Sequence, residues 1–349
     1  MGGTGGRSYG RYGAIAALLL FVAVLPWVTG PYPLTVFTSI GIYAILALQM
    51  SLLMGFCGLF SLGQAAFFGM GAYASAVLTL THALNPWLAM LCAALLTACL
   101  AALISIPLMR LAGFVLAVAS IAFNEVFMVL TEQNIFGWSG GYQGLSNVPT
   151  LGFGSFFIGG SEQKHYFYLV WIVGFIIIWL TSNIARSRVG RALRSIHPFA
   201  GGSERAAQSL SVSPQRFKTQ LFVLCAIYCS IAGSLYAHWL EYVGPTHTSF
   251  GVPMSIFMLV MAVVGGERSL WGGLIGAATL TGVTELIRDF GEKFGFHGEY
   301  DIIAYGIILI LVLIFLPEGF ASIPHRVKNA SWFAALQGRL VPSGKGVRP

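Results

Sequence analysis

Charge is what this sequence lacks. Of its 349 residues, 9% are Asp, Glu, Lys or Arg, against about 25% in an ordinary soluble domain. So few charges cannot coat a water-facing globule, while 56% of the chain is hydrophobic and mean hydropathy is +0.79. A soluble fold is excluded, and a bilayer is the main solvent. Acid is scarcest: 12 Asp and Glu stand against 19 Lys and Arg, a net charge of +7. The five cysteines, Cys57, Cys92, Cys99, Cys225 and Cys229, all lie in apolar runs and read as small hydrophobes. The seven histidines are scattered singly, so no metal site is expected. No H-E-x-x-H or paired-carboxylate cluster occurs, which argues against a membrane-embedded enzyme. No G-x-x-x-x-G-K-[ST] occurs either, so any ATP-driven work would need the nucleotide on another chain.

What the chain has is long apolar runs. A helix crosses about 30 Å of hydrocarbon in about 20 residues. Ten runs qualify, at 13–29, 34–54, 62–81, 87–109, 113–131, 166–184, 219–240, 253–266, 271–289 and 301–317. The expected fold class is an all-α integral membrane protein, a polytopic helical bundle of about ten transmembrane spans, some broken or re-entrant. The run 253–266 is short and leaves through "VVGGERSLWGG", which suits a half-helix or a re-entrant piece. The third span opens on "GFCGLFSLGQAAFFGMGAY", a second expected break. Such breaks are tolerated only where protein or a water cavity covers the backbone. The basic, glycine-rich start followed by "AIAALLLFVAVLPWV" looks like a signal peptide, but no A-x-A site follows Trp27, so it reads as an uncleaved first span.

Basic residues set the orientation. Arg7 and Arg11, the seven cations from Arg186 to Lys218, and five in the tail make fourteen of the nineteen. Ten spans put all three segments on one side, which the positive-inside bias makes the cytoplasm; nucleic acid is not needed to explain the charge. The expected organisation is one transmembrane domain, 1–317, with a cytoplasmic loop at 185–218 and an outer loop at 132–165. A cytoplasmic tail follows at 318–349, and both termini are cytoplasmic.

Several residues stand out against the apolar background. Glycines Gly63, Gly69, Gly71, Gly265 and Gly266 sit where helices should meet, either for close packing or beside a pathway through broken helices. Gln64 opens span three, and Asn124 and Glu125 lie within span five; these three are the candidate pathway or gate. An intramembrane carboxylate is costly unless paired or wetted. The alternatives for Glu125 are snorkelling at the outer interface and structural hydrogen bonding beside Asn124. Glu285, Arg288 and Asp289 read as the solvated end of span nine. In the basic loop, Ser203 can N-cap a helix and Glu204 then meets its dipole, while Pro214 limits its length. Ala206, Ala207 and Leu210 would share one small apolar face. So short a helix is not stable alone in water and needs a groove to lie in.

Taken together and in order, four stretches resemble the LivM-type permease subunits of branched-chain amino-acid ABC importers. They are "GLFSLGQAAFFGMGAYASAVL" (58–78), "SGGYQGLSNVP" (139–149), and "GRALRSIH" with "GSERAAQSLSV" (190–212). The last is "AGSLYAHWLEYVGPTHTSF" and "SIFMLVMAVVGG" (232–266), joined by "YGIILILVLIFLPEGF" (305–320). The resemblance runs from about 36 to 320. It implies a non-enzymatic transport subunit in the bacterial inner membrane. Its partners would be two ABC ATPase chains that hold ATP and Mg, a second permease chain making a heterodimer, and a periplasmic substrate-binding protein. No cofactor would sit on this chain. Ser203, Glu204, Ala206, Ala207, Leu210 and Ser211 would then form the coupling helix that docks in the ATPase groove, and Glu125 matches a carboxylate usual at that point. Departures from the pattern are the apparent insertion "PFAG" (198–201), Ser211 in place of a usual glycine, and Glu267 and Arg268 where small or apolar residues are preferred. The implied cargo is branched-chain amino acids or related small zwitterions, with urea, short amides or aromatic acids as the alternative. A self-sufficient secondary transporter or channel is the reading from a different class.

Overall fold

Long apolar runs punctuated by proline and glycine give helices, and the computed structural model shows them. It describes residues 22–111, 113–153, 156–158, 163–196, 213–266 and 271–294. Residues 22–28 are helical, the end of the first expected span; the last one, 301–317, lies outside the described residues. Helix α1 is Pro31–Cys57, α2 Gln64–His82, α3 Pro86–Leu108 and α4 Phe114–Glu132. After a 3-10 turn and strands β1 (Leu145–Ser146), β2 (Leu151–Phe153) and β3 (Phe156–Ile158) come α5 (Gln163–Arg186) and α6 (Arg188–Ile196). Then follow α7 (Pro214–Leu240), β4 (Tyr242–Val243), α8 (His247–Phe250), α9 (Val252–Gly265) and α10 (Gly272–Phe294). Among the described residues α1, α3, α4, α5 and α7 are long and apolar enough to cross a membrane.

Proline and glycine set the boundaries. α1, α3, α7 and α9 all carry proline in the first turn, where the missing N–H has no helical partner to lose. α1 stops at Gly58, whose φ of 63° lets its own N–H reach back to the Met54 carbonyl and the Leu59 N–H to that of Leu53. α9 has only 14 residues, about 21 Å of rise, too short to span about 30 Å of hydrocarbon. The expected half-helix is therefore present. The 185–218 segment, expected as a loop, is partly helical: α6 buries Gly190 and Leu193 and leaves Arg186, Arg188 and Arg191 exposed beside it.

Burial separates inner helices from outer ones. From Ala44 to Met54 every residue of α1 is buried, so it is a central helix. α2 and α7 form the other half of the core, with Phe67, Phe68, Tyr73, Phe222 and Leu235 closed off. α3, by contrast, exposes Leu88, Leu91, Leu95 and Leu103, and α5 exposes Ile172, Ile176 and Trp179. Those apolar faces suit lipid.

Hydrophobicity does not drive helices together in lipid, so close approach has to supply the attraction. Residue 71 of α2 lies on the backbone of Ser230 in α7, and residue 233 of α7 lies on the backbone of Phe68. A Cβ at Gly71 or Gly233 would collide with main chain. Ser234 Oγ closes the seam by donating to the Gly71 carbonyl at 3.1 Å. Gly63 and Gly69 make similar room for Ser120 and Phe127 of α4, and Gly265 for the backbone of Gly272 in α10. Gly266 does a different job from its neighbour: at φ 100° it turns the chain out of α9. Gly71→Val is therefore expected to part α2 from α7 and cost about 3 kcal/mol or more. Gly282→Ala meets nothing within 4 Å and should be neutral or stabilising by up to about 1 kcal/mol. Thermal unfolding of the purified chains in detergent checks both.

Candidate functional site

The break before α2 is stitched by side chains from other helices. A helix start leaves amide N–H groups without intrahelical partners, and in lipid no water satisfies them. Here the Leu62 N–H donates to Ser120 Oγ of α4 at 2.8 Å, and the Ala65 N–H donates to Ser255 Oγ of α9 at 3.1 Å. Gln64 is fully buried; its amide donates to Ser61 Oγ at 3.3 Å and accepts a weak contact from Cys229 Sγ at 3.7 Å. The first turns of the half-helix α9 and of α2 thus lie against each other.

Asn124 and Glu125 part company. Asn124 follows Ser120 by one turn on the same buried face; it is 0% exposed, and neither amide atom has a hydrogen-bond partner. Among the described residues no structural hydrogen bond runs through it, an uncommon state for a buried amide. Glu125 is exposed, on a stripe of α4 with Val115, Val118, Val126 and Val129. A carboxylate seven residues inside the end of a helix cannot face hydrocarbon without a penalty of about 2.5 kcal/mol or more.

The 139–149 motif is clamped to the end of α7. Gly140 and Gly144, at φ 72° and 68°, fold it tightly. β1 then pairs antiparallel with β4, Leu145 opposite Val243 and Ser146 opposite Tyr242, and the Val148 N–H donates to the Glu241 carbonyl at 3.1 Å. Below them His238 is fully buried. Its Nδ1 lies 2.5 Å from the Pro149 carbonyl, and its Nε2 lies 2.7 Å from Ser75 Oγ of α2. A carbonyl only accepts, so Nδ1 carries the proton and Nε2 accepts from the serine. Nearby, His247 at the start of α8 lies 3.0 Å from Glu132 at the end of α4.

Under that clamp lies a cavity of about 290 Å³ between α1, α7, α8, α9 and α10. One side is hydroxylic and acidic: Ser39, Thr281, Thr284 and Glu285. The other is aromatic, where Tyr43 and Phe257 meet edge to face with centroids 5.4 Å apart beside Phe68 and Trp239. Thr281 is 5% exposed and its hydroxyl has no hydrogen-bond partner among the described residues. Glu285, expected at a solvated helix end, lies inside α10, which continues to Phe294; Tyr32 donates to its Oε2 at 2.6 Å.

The structure therefore brings Gln64 and Asn124 into the core and leaves Glu125 outside. Ser203, Glu204, Ala206, Ala207, Leu210 and Ser211 lie outside the described residues. The cavity residues were missed, although Thr281, Thr284 and Glu285 are spaced i, i+3, i+4 as a polar stripe on an apolar helix, a legible signal. His238 looked like a lone histidine because Ser75 and Pro149 are far away in sequence. His238→Ala would strand two buried polar groups, at about 1–3 kcal/mol each. The expected result is a lower melting temperature together with faster proteolysis within 139–149; an unchanged cleavage rate would separate His238 from the clamp.

Comparison with known proteins places the chain. Residues 32–313 match the family described as branched-chain amino acid transport system / permease component. The chain is 29% identical over 341 residues to the Escherichia coli high-affinity branched-chain amino acid transport system permease protein LivM, covering 91% of this chain and 77% of that one. It is 28% identical over 223 residues to the Salmonella typhimurium permease LivH, covering 62% and 65%. The Escherichia coli ribose import permease RbsC is 23% identical over 149 residues, or 42% and 44% of the two chains. No solved structure matches. With most of the helical bundle inside the matched range, the chain belongs to the branched-chain amino acid permease family, as a multi-pass membrane transport subunit and not an enzyme.

Proposed function

We propose that this chain is one permease half of an ATP-driven importer for branched-chain amino acids or closely related small zwitterions, in a bacterial inner membrane. The observation that carries this reading is the family match over residues 32–313, on a bundle that contains a half-span and stitched helix breaks. The relatives LivM and LivH are both named as permeases of a branched-chain amino acid system, and this chain is similar to both. A pair of related permease chains is therefore the expected assembly. The exposed Glu125 stripe suits such a pairing, because a second protein chain or a wet path between two chains can cover a carboxylate and lipid cannot.

Orientation follows the charge. The exposed Arg186, Arg188 and Arg191 support a cytoplasmic position for that end, and with it for both termini. The end carrying 139–149 then faces the periplasm and a substrate-binding protein. The segment 203–212 would dock its small apolar face in a groove of an ATPase subunit, which supplies ATP and Mg. Arginines around it pair with lipid headgroups or the groove's rim. Closure of the ATPases on ATP would reach the helices through that segment.

Uptake of labelled leucine into proteoliposomes holding the whole complex tests the reading. Uptake that needs ATP supports it; uptake that persists without ATP would make the chain a secondary transporter. Ala207→Arg places a charge in an apolar groove, at a cost of several kcal/mol. It should insert normally yet lose ATPase co-purification, or lower uptake more than about tenfold. Full assembly with full uptake would leave 203–212 only a topology signal. Glu125→Gln should lower uptake with assembly and melting temperature unchanged. A lower melting temperature with normal uptake would make Glu125 structural.

A further inference from the structure

We infer that Arg186, Arg188 and Arg191, at the corner where α5 turns into α6, form a docking site for the headgroup of an anionic phospholipid. The inference goes beyond the proposed transport function and needs only that α5 crosses the bilayer. From Ile172 onward, the exposed residues of α5 are Ile172, Ile176, Trp179, Leu180, Asn183 and Arg186. At about 100° per residue they fall on one stripe. The stripe is apolar until it reaches Trp179, a residue type that sits at membrane–water interfaces. Arg186 ends it. Lys164, the exposed cation at the other end of α5, is about 33 Å of helical rise away. With about 30 Å of hydrocarbon between them, both cations reach a headgroup layer. The lipid that covers Ile176 and Trp179 therefore brings its own phosphate to Arg186.

The corner gathers charge. The Arg191 guanidinium donates to the Arg186 carbonyl at 3.4 Å, which folds it back onto the end of α5. Arg188 and Arg191 are spaced i, i+3 on α6, so they are neighbours on that helix. All three are exposed, and among the described residues no carboxylate pairs with any of them. Like charges held together repel. A phosphodiester offsets that cost, because its oxygens take two parallel N–H donors from one guanidinium. Packing, not the arginines, holds α6 in place: Leu193 is buried, and Gly190 lies on the Ala185 backbone. The rim of a cytoplasmic ATPase would attract the same charge. It cannot follow the apolar stripe above Arg186 into hydrocarbon, and an acyl chain does. α6 is the last described element before 203–212, so a headgroup held here anchors the approach to that segment at the bilayer surface.

Trp179 is the probe, since it shares the stripe. The assembled transporter is reconstituted in phosphatidylcholine vesicles carrying a varied fraction of acyl-brominated phosphatidylglycerol, or of brominated phosphatidylcholine. Fluorescence lost relative to a Trp179→Phe control isolates the quenching of that residue. Half-quenching should come at a fraction of brominated phosphatidylglycerol about fivefold smaller, or less, than of brominated phosphatidylcholine, since each engaged arginine supplies about that factor. Arg186→Gln with Arg188→Gln should bring the two midpoints together; Arg191 stays, because its bond holds the corner. Should that pair fail to assemble, Arg186→Gln alone should narrow the ratio. Arg110→Gln removes an exposed cation two spans earlier, on the same face of the bilayer, and should leave the ratio unchanged. Equal midpoints in the parent protein would overturn the site. So would an equal effect of Arg110→Gln, which would make the attraction diffuse surface charge. Trp179 quenched by neither lipid would overturn it too, and would put protein on the stripe. Leucine uptake in the same vesicles bears on the transport function alone: lipid preference without uptake leaves the site standing, and uptake without preference sinks only the site.

Discussion

Every main-chain amide that enters hydrocarbon needs a partner inside the protein, and the rest of this structure depends on how the breaks meet that demand. α2 and α9 both begin away from water. Their first turns are close because Ser255 of one caps an amide of the other, and Ser120 of α4 takes the amide just before. Those bonds fix three helices to one another at a single point. Glycine then sets how near the helices come. Gly71 and Gly233 let α2 and α7 touch along their main chains, and that contact brings His238 to Ser75. The clamp on 139–149 is a consequence of the seam.

Much of this was legible. Apolar run length gave α1, α3, α4, α5 and α7 within a few residues, and the shortness of 253–266 with its glycine exit gave the half-helix. The glycines of α2 were rightly noticed as dense, but a list of small residues does not say which backbone each will meet. Gly266 differs from Gly265 only by its φ, which no spacing reveals. Asn124 and Glu125 are adjacent in sequence and looked like one polar site; a helix places neighbours about 100° apart, so one went in and the other out. Glu285 keeps some exposure and its bond to Tyr32 is exposed, as a solvated stretch has it, although α10 itself runs on to Phe294.

The cavity was invisible for another reason. Its walls come from Ser39, Tyr236, Thr248, Phe257 and Thr281, ordinary residues scattered over more than two-thirds of the chain. Apart from the polar stripe that Thr281 begins, none has a pattern of its own. What joins them is the descent of the chain between β4 and α9, and that descent exists because α9 is short and starts against α2. A full-length eighth span would have filled the space with its own first turns.

The roof of the chamber is also the far end of the clamp. β4 is paired to the 139–149 motif, His247 is held to Glu132, and Thr248 and Ser249 line the cavity. α9 hangs from that roof, lines the chamber with Met254 and Phe257, and ends at Gly265 against the backbone of α10. α10 in turn carries Thr281 and Glu285 back up to the chamber. Roof, one wall and the acidic wall are therefore three consecutive pieces of chain joined by two tight glycine contacts. At the α8 end Gly251 packs on the His247 backbone, and such close-packed contacts rearrange between discrete fits rather than deform smoothly. α8 and the α10 wall that carries Thr281 and Glu285 are thus tied to each other through α9.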